Sequence, residues 1–264
     1  MSNFAVANRN PRLSFTTLTR RLWRPMLLTA AAALTLNASA PQAWAGGDKQ
    51  RPAPIPFAQA RLIIEFNSTD EDIGVQFFLD VDTWKTVRIL NPRGQQIFEA
   101  STKANLLRQG GATELFVESD EPTLDELSLE EFFALFPEGT YKFTGRTPDG
   151  KPLVGESAFT HDIPAGPQLI MPQAGADDEC AQDVPIPVVI AWNDVTTSIE
   201  GEPLEIVRYE VIVGEDVFDV HLEGTMVTVP SELLKPGTEY EFEILAIAQG
   251  GNQTITETCF VTAA

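Results

Sequence analysis

The sequence predicts a mainly β protein of two tandem β-sandwiches, the first carrying one short helix. Three observations carry that expectation. Apolar and polar residues alternate over short runs, the period-two pattern of strands with one buried face. Pro/Gly turns punctuate the runs, Asn91-Pro-Arg-Gly94 and Thr147-Pro-Asp-Gly150 among them. A Pro/Gly corner leading into Tyr-x-Phe occurs twice, as Leu135-Phe-Pro-Glu-Gly-Thr-Tyr-Lys-Phe143 and as Leu234-Lys-Pro-Gly-Thr-Glu-Tyr-Glu-Phe242. In sandwiches such a corner tyrosine bonds back to upstream backbone.

Residues 1–45 read as a signal peptide. Five arginines (Arg9, Arg12, Arg20, Arg21, Arg24) precede the apolar run Met26–Ala40, which is too short to span a bilayer as a helix. The small-x-small sites Ala38-Ser-Ala40 and Ala43-Trp-Ala45 follow, with cleavage expected after Ala45. No Cys lies nearby, so a lipid-anchored form is not expected. Thr19-Arg-Arg-Leu-Trp23 matches a twin-arginine signal only in part, because Arg24 and Pro25 replace the expected residues, and ordinary secretion is the favoured route. Residues 46–57, with Pro52, Pro54 and Pro56, read as an extended leader.

Residues 58–163 form the first predicted domain. Strands are expected at Arg61–Phe66, Gly74–Val81, Thr86–Leu90, Gln96–Ala100, Glu114–Glu118, Tyr141–Gly145 and Leu153–Thr160. The helix starts at the capping box Ser128-Leu-Glu-Glu131, where the Ser hydroxyl accepts from first-turn N–H groups and the Glu reaches back. Leu129, Phe132, Phe133 and Phe136 follow at helical spacing and read as core packing, and Pro137 and Gly139 stop the helix. Residues 164–172 read as a short, stiff linker.

The second domain, 173–264, is patterned more strongly. Tyr209, Val211 and Val213 share one strand face, as do Tyr240, Phe242, Ile244 and Ala246 on another. With Trp192 and the Leu234-Lys-Pro-Gly-Thr corner, these residues resemble a fibronectin type III domain. The resemblance covers about a third of the chain and implies an immunoglobulin-like sandwich used in adhesion, in surface assemblies or beside secreted enzymes; it implies no shared ligand site. In that topology Cys180 would end the first strand and Cys259 lie near the end of the last. An even count in an exported chain favours a disulfide between them, with free thiols or a metal pair as the alternative.

Charge restricts the partners. The chain carries 18 Lys+Arg against 38 Asp+Glu, and removing residues 1–45 leaves 13 against 38, a net charge of −25. Such a surface repels phosphate backbones and anionic lipid, so nucleic-acid binding is not expected, and no integral membrane segment is expected after signal cleavage. The expected partner is a protein or a polysaccharide, and the expected location is the periplasm or the extracellular medium.

No catalytic constellation stands out. The two histidines are His161, beside Asp162 at a domain edge, and His221, on a predicted strand surface. Gly155-Glu-Ser-Ala-Phe159 lacks the last glycine of a nucleophile elbow. Catalytic and cofactor residues are therefore expected to be none. The one metal candidate is calcium at Asn67, Asp70 and Asp72, where hard oxygens cluster in a turn. It is not an EF-hand, because Val81 stands where a bidentate Glu is required, and a plain solvated turn is the competing reading. The leading functional expectation is an exported, non-catalytic binding or scaffolding protein. A secreted hydrolase or its accessory domain is the alternative, and a calcium-stabilised structural domain the second alternative.

Overall fold

The computed structural model describes residues 52–173, 179–214 and 217–264, and the expectations for residues 1–51 lie outside them. Both sandwiches fall in one compact unit over 50–264. The first domain opens with β1 (Ile55–Pro56), β2 (Gln59–Asn67) and β3 (Asp72–Trp84), followed by β4 (Thr86–Leu90) and β5 (Gln96–Ser101). After α1 (Ala104–Gln109) come β6 (Ala112–Glu118), α2 (Leu129–Leu135), β7 (Gly139–Arg146) and β8 (Pro152–Phe159). All seven strands expected here are present, Thr86–Leu90 with its expected bounds and the others with ends shifted by at most three residues.

One sheet runs β1-β8-β7-β4-β5; β2, β3 and β6 face it. Leu62, Ile64 and Phe66 of β2 and Ile73, Val75, Phe77, Leu79 and Val81 of β3 turn inward at every second position, as the pleat requires. They meet Val87, Ile89, Tyr141, Phe143 and Phe159 from the other sheet. Helix α2 has the expected capping box and lays Phe132 into this core. The expectation of one helix is corrected to two. Helix α1 buries no residue and has no side-chain cap, so no apolar stripe announced it.

The second sandwich pairs β9 (Leu169–Met171), β11 (Val188–Trp192) and β14 (Met226–Val229) in one sheet. The stretch expected as a linker thus contributes a strand, held by Ala191↔Met171 and Trp192↔Leu169 pairing. The opposing sheet holds β12 (Ile206–Val213), β13 (Phe218–Leu222), β15 (Glu239–Ala248) and β16 (Gln253–Thr262), with β10 (Ala181–Val184) parallel to β16. Trp192 is buried, edge-on to Tyr209 at 5.2 Å, in a core that includes Val211, Phe242, Ile244 and Phe260. Both corner tyrosines bond upstream. The Tyr141 hydroxyl donates to the Pro137 carbonyl at 3.1 Å, and the Tyr240 hydroxyl accepts from Lys235 N–H at 2.9 Å. Cys180 and Cys259 are joined, their Cα atoms 4.6 Å apart.

The two sandwiches share a sheet. β16 runs parallel to β2 in the register Gln253↔Glu65, Thr254↔Phe66 and Ile255↔Asn67, making one eight-stranded sheet β13-β12-β15-β16-β2-β3-β6 with β10 attached. Asn252 organises this seam. Its Oδ1 accepts from Ile64 N–H at 2.9 Å, and its Nδ2 donates to the carbonyls of Thr160 and Asp162 at 3.0 and 3.1 Å. The Thr254 hydroxyl donates to the Pro164 carbonyl at 2.6 Å, and Ser68 N–H donates to the Ile255 carbonyl at 2.8 Å.

Candidate functional site

The outer face of the shared sheet gathers the polar groups that could act on a ligand. Alternation along β2 turns Leu62, Ile64 and Phe66 to the core and Glu65 and Asn67 to the opposite face of the sheet, where both are still buried. The β2–β3 turn then carries the residues predicted as calcium ligands.

That turn is built around the Asn67 side chain. Its Oδ1 accepts from Thr69 N–H at 2.9 Å and from Asp70 N–H at 3.3 Å, an Asx turn. Its Nδ2 donates to the Glu257 carboxylate at 3.1 Å, and Glu257 N–H donates to the Thr69 hydroxyl at 2.9 Å, which ties the turn to β16. Glu71 takes φ 55°, the left-handed position that closes the turn. Asn67 is 3% exposed, whereas Asp70 is exposed. Asp72 pairs with Asn67 across the hairpin and bridges to Thr123. The chain fold brings the three residues into one turn, with the Asn67 oxygen given to backbone.

Beside it lies a group that sequence reading missed. Glu65, Glu118 and Glu121 come from β2, β6 and the loop after β6, with carboxylate oxygens within 4.8 Å of one another. Gly74, opposite Glu65, makes the approach possible, because a Cβ there would meet Glu121 Cγ at 2.8 Å. Glu65 is 7% exposed, and Gln253 Nε2 donates to it across the seam. Burial pushes its carboxyl up to about 8; Glu121, Glu118 and Glu243 add to the rise, and the Gln253 hydrogen bond opposes it. No sequence signal marks this cluster, since its members lie far apart in the chain and meet only through strand pairing.

A second group lies on β12 and β13. Glu210 stands opposite His221, Nε2 to Oε1 3.6 Å, and Asp219 is two residues before His221 on the same face. The three side chains offer ligand atoms within 4.8 Å of one another. Burial, then the neighbouring Asp219, raises the Glu210 carboxyl to about 7, against the opposing charge of Arg208. His221 is on a strand surface as expected; its partners were hidden because strand register is not written in local sequence.

His161 has a structural post. Its ring stacks on Phe133 at 3.9 Å, its Nε2 lies 2.8 Å from the Phe136 carbonyl, and its backbone N–H donates to Glu138. It holds the end of α2 against β8. A cleft of about 380 Å³ opens between Val81, Asp82, Thr83, Gly110, Pro148 and Asp149, and no histidine is among its lining residues.

No protein-family model matches this chain, and no curated protein does. Solved structures that the chain matches include one reported for host cell surface retention of a 1.5-MDa bacterial ice-binding adhesin. It is 13% identical over 78% of this chain and 65% of its own, with TM-score 0.24. The chicken CNTN1 FN1-FN3 domains are 10% identical over 81% of this chain and 67% of theirs, TM-score 0.27. Tp47, the 47-kilodalton lipoprotein of Treponema pallidum, is 13% identical over 80% of this chain and 52% of its own, TM-score 0.34. The chain spans 65% of the length of that adhesin structure and 50% of a tetra-tandem repeat from the extending region of a large adhesion protein. Likeness at this level carries no information on function.

Proposed function

We propose that this chain is an exported, non-catalytic binding or scaffolding protein whose two sandwiches act as one presenting body. The observation that carries the reading is the seam. Parallel β2–β16 pairing and the buried Asn252 contacts make one continuous sheet of two domains, so loops at both ends are held in a constant relation. A scaffold needs such a body, because rigidity lowers the ordering cost of a partner contact. Export is supported by the basic, apolar, small-residue order of residues 1–45 and by the Cys180–Cys259 bridge, which persists in oxidising compartments. Among the described residues no helix is long and apolar enough to cross a membrane.

The partner is a protein or polysaccharide of the cell envelope or medium. Cross-linking in intact cells, followed by recovery of the chain from the periplasm and medium, tests the reading. The expected result is a chain beginning near Gly46, cross-linked to an envelope protein or polysaccharide. A soluble cytoplasmic form that retains Arg20 and the Met26–Ala40 run, or turnover of a hydrolase substrate by the purified protein, would overturn it.

A further inference from the structure

We propose that His221, Glu210 and Asp219 form a binding site for one borderline divalent transition-metal ion, with Zn²⁺ as the probe. The site is independent of the binding reading above, and failure of one leaves the other standing.

The first argument is donor chemistry. The Glu65 group offers carboxylates alone; this one adds an imidazole nitrogen. One nitrogen with two carboxylate oxygens suits zinc and its neighbours, whereas calcium takes six to eight oxygens.

The second argument is register. Glu210 and His221 are directly opposed on antiparallel strands, and Asp219 follows the same face two residues away. Tyr209, Val211 and Val213 turn to the core at the intervening positions of β12, which sends Glu210 outward. The three Cβ positions are therefore fixed by the sheet, and only side-chain torsions remain to be set. The Nε2–Oε1 distance of 3.6 Å is already close to the roughly 3.4 Å edge of a tetrahedron with metal–ligand bonds of about 2.0–2.1 Å. The remaining ligand atoms, within 4.8 Å, need to close by at most about 1.4 Å. His221 and Asp219 are exposed and can rotate to do so.

The third argument is charge. Among the described residues, the acidic Asp219 and Glu243 act on Glu210 against Arg208 on the same strand, with the His221 ring 3.6 Å away. A divalent ion removes that excess. Because β13 is an edge of the shared sheet, the coordination positions left by three protein ligands open to water or to a partner's side chain.

Equilibrium dialysis of the purified protein, with Cys180–Cys259 oxidised, against Zn²⁺ in excess Ca²⁺ gives stoichiometry and affinity. Imidazole NMR supplies a local readout, since the chain has only two histidines. The expected result is one Zn²⁺ per chain, a shifted His221 ring with His161 unmoved, and at least about a tenfold weaker affinity in each of His221→Ala and Asp219→Asn. Both residues are exposed, so both variants fold, which far-ultraviolet circular dichroism confirms. Absence of saturable binding by the wild type, binding unchanged in both variants, or displacement by Ca²⁺ would each overturn the proposal.

Discussion

Asn252→Ala tests the seam between the sandwiches. The wild-type amide is 3% exposed and makes three hydrogen bonds, to Ile64 N–H, Thr160 C=O and Asp162 C=O. Each such bond contributes about 0.5–1.5 kcal/mol net, and leaving a buried partner unsatisfied costs about 1–3 kcal/mol. Some of the three orphaned groups will find water in the space left by the amide, so the expected loss is about 2–5 kcal/mol. Asn252→Asp should be worse. It keeps an acceptor for Ile64 but replaces the donor by an oxygen aimed at two carbonyls. Fluorescence during urea unfolding reads the effect domain by domain, because Trp84 lies in the first core and Trp192 in the second. In the chain from Gly46 onward, which lacks Trp23 and Trp44, Trp84→Phe and Trp192→Phe each leave a single tryptophan and isolate the two signals. The shared sheet predicts coincident transitions in the parent proteins and separated ones after Asn252→Ala. A loss below about 1 kcal/mol, or an Asp variant no worse than the Ala variant, would refute the view that this amide clamps three backbone segments.

Trp192→Ala should cost about 3–5 kcal/mol in denaturant titrations, since the ring is 1% exposed against Tyr209; a loss under about 1 kcal/mol would show it is not a core anchor. Glu65 gives a pH signature. Its folded-state pKa of about 8 lies above the ordinary carboxyl value of 4.5, so the protonated carboxyl favours folding, a contribution complete below about 4.5 and lost as pH rises through about 8. Glu65→Gln should flatten that part of the stability–pH curve, and an unchanged curve in the variant would assign the dependence elsewhere. Asn67→Ala should cost about 1–2 kcal/mol, in chelator and in Ca²⁺ alike, because its oxygen serves Thr69 and Asp70 N–H. A cost confined to the Ca²⁺ melt would return Asn67 to the metal.

Local chemistry was enough for the elements themselves. Alternation marked Leu62, Ile64 and Phe66 and then Tyr209, Val211 and Val213, because a pleated strand buries every second residue whatever it pairs with. The Ser128–Glu131 capping box is satisfied within four residues, so its sequence suffices to start α2. The Pro/Gly corners placed Tyr141 and Tyr240 because each hydroxyl reaches backbone only four or five residues upstream. Helix α1 escaped notice because it buries nothing and so needs no apolar period.

What only the tertiary structure decided is which distant strands meet. The β2–β16 pairing joins segments about 190 residues apart, and backbone hydrogen bonds of that kind are blind to side-chain identity. Glu65 meets Glu118 and Glu121 through the β2–β3 and β3–β6 ladders and through Gly74, whose missing Cβ admits Glu121, whereas Asn252 meets Ile64 and Thr160 at the β2–β16 seam. Glu210 and His221 face each other because of one register out of several that the alternating pattern allows. A sequence of period two states which face of a strand is apolar; it leaves open the neighbour across the ladder, and each polar group here is defined by that neighbour.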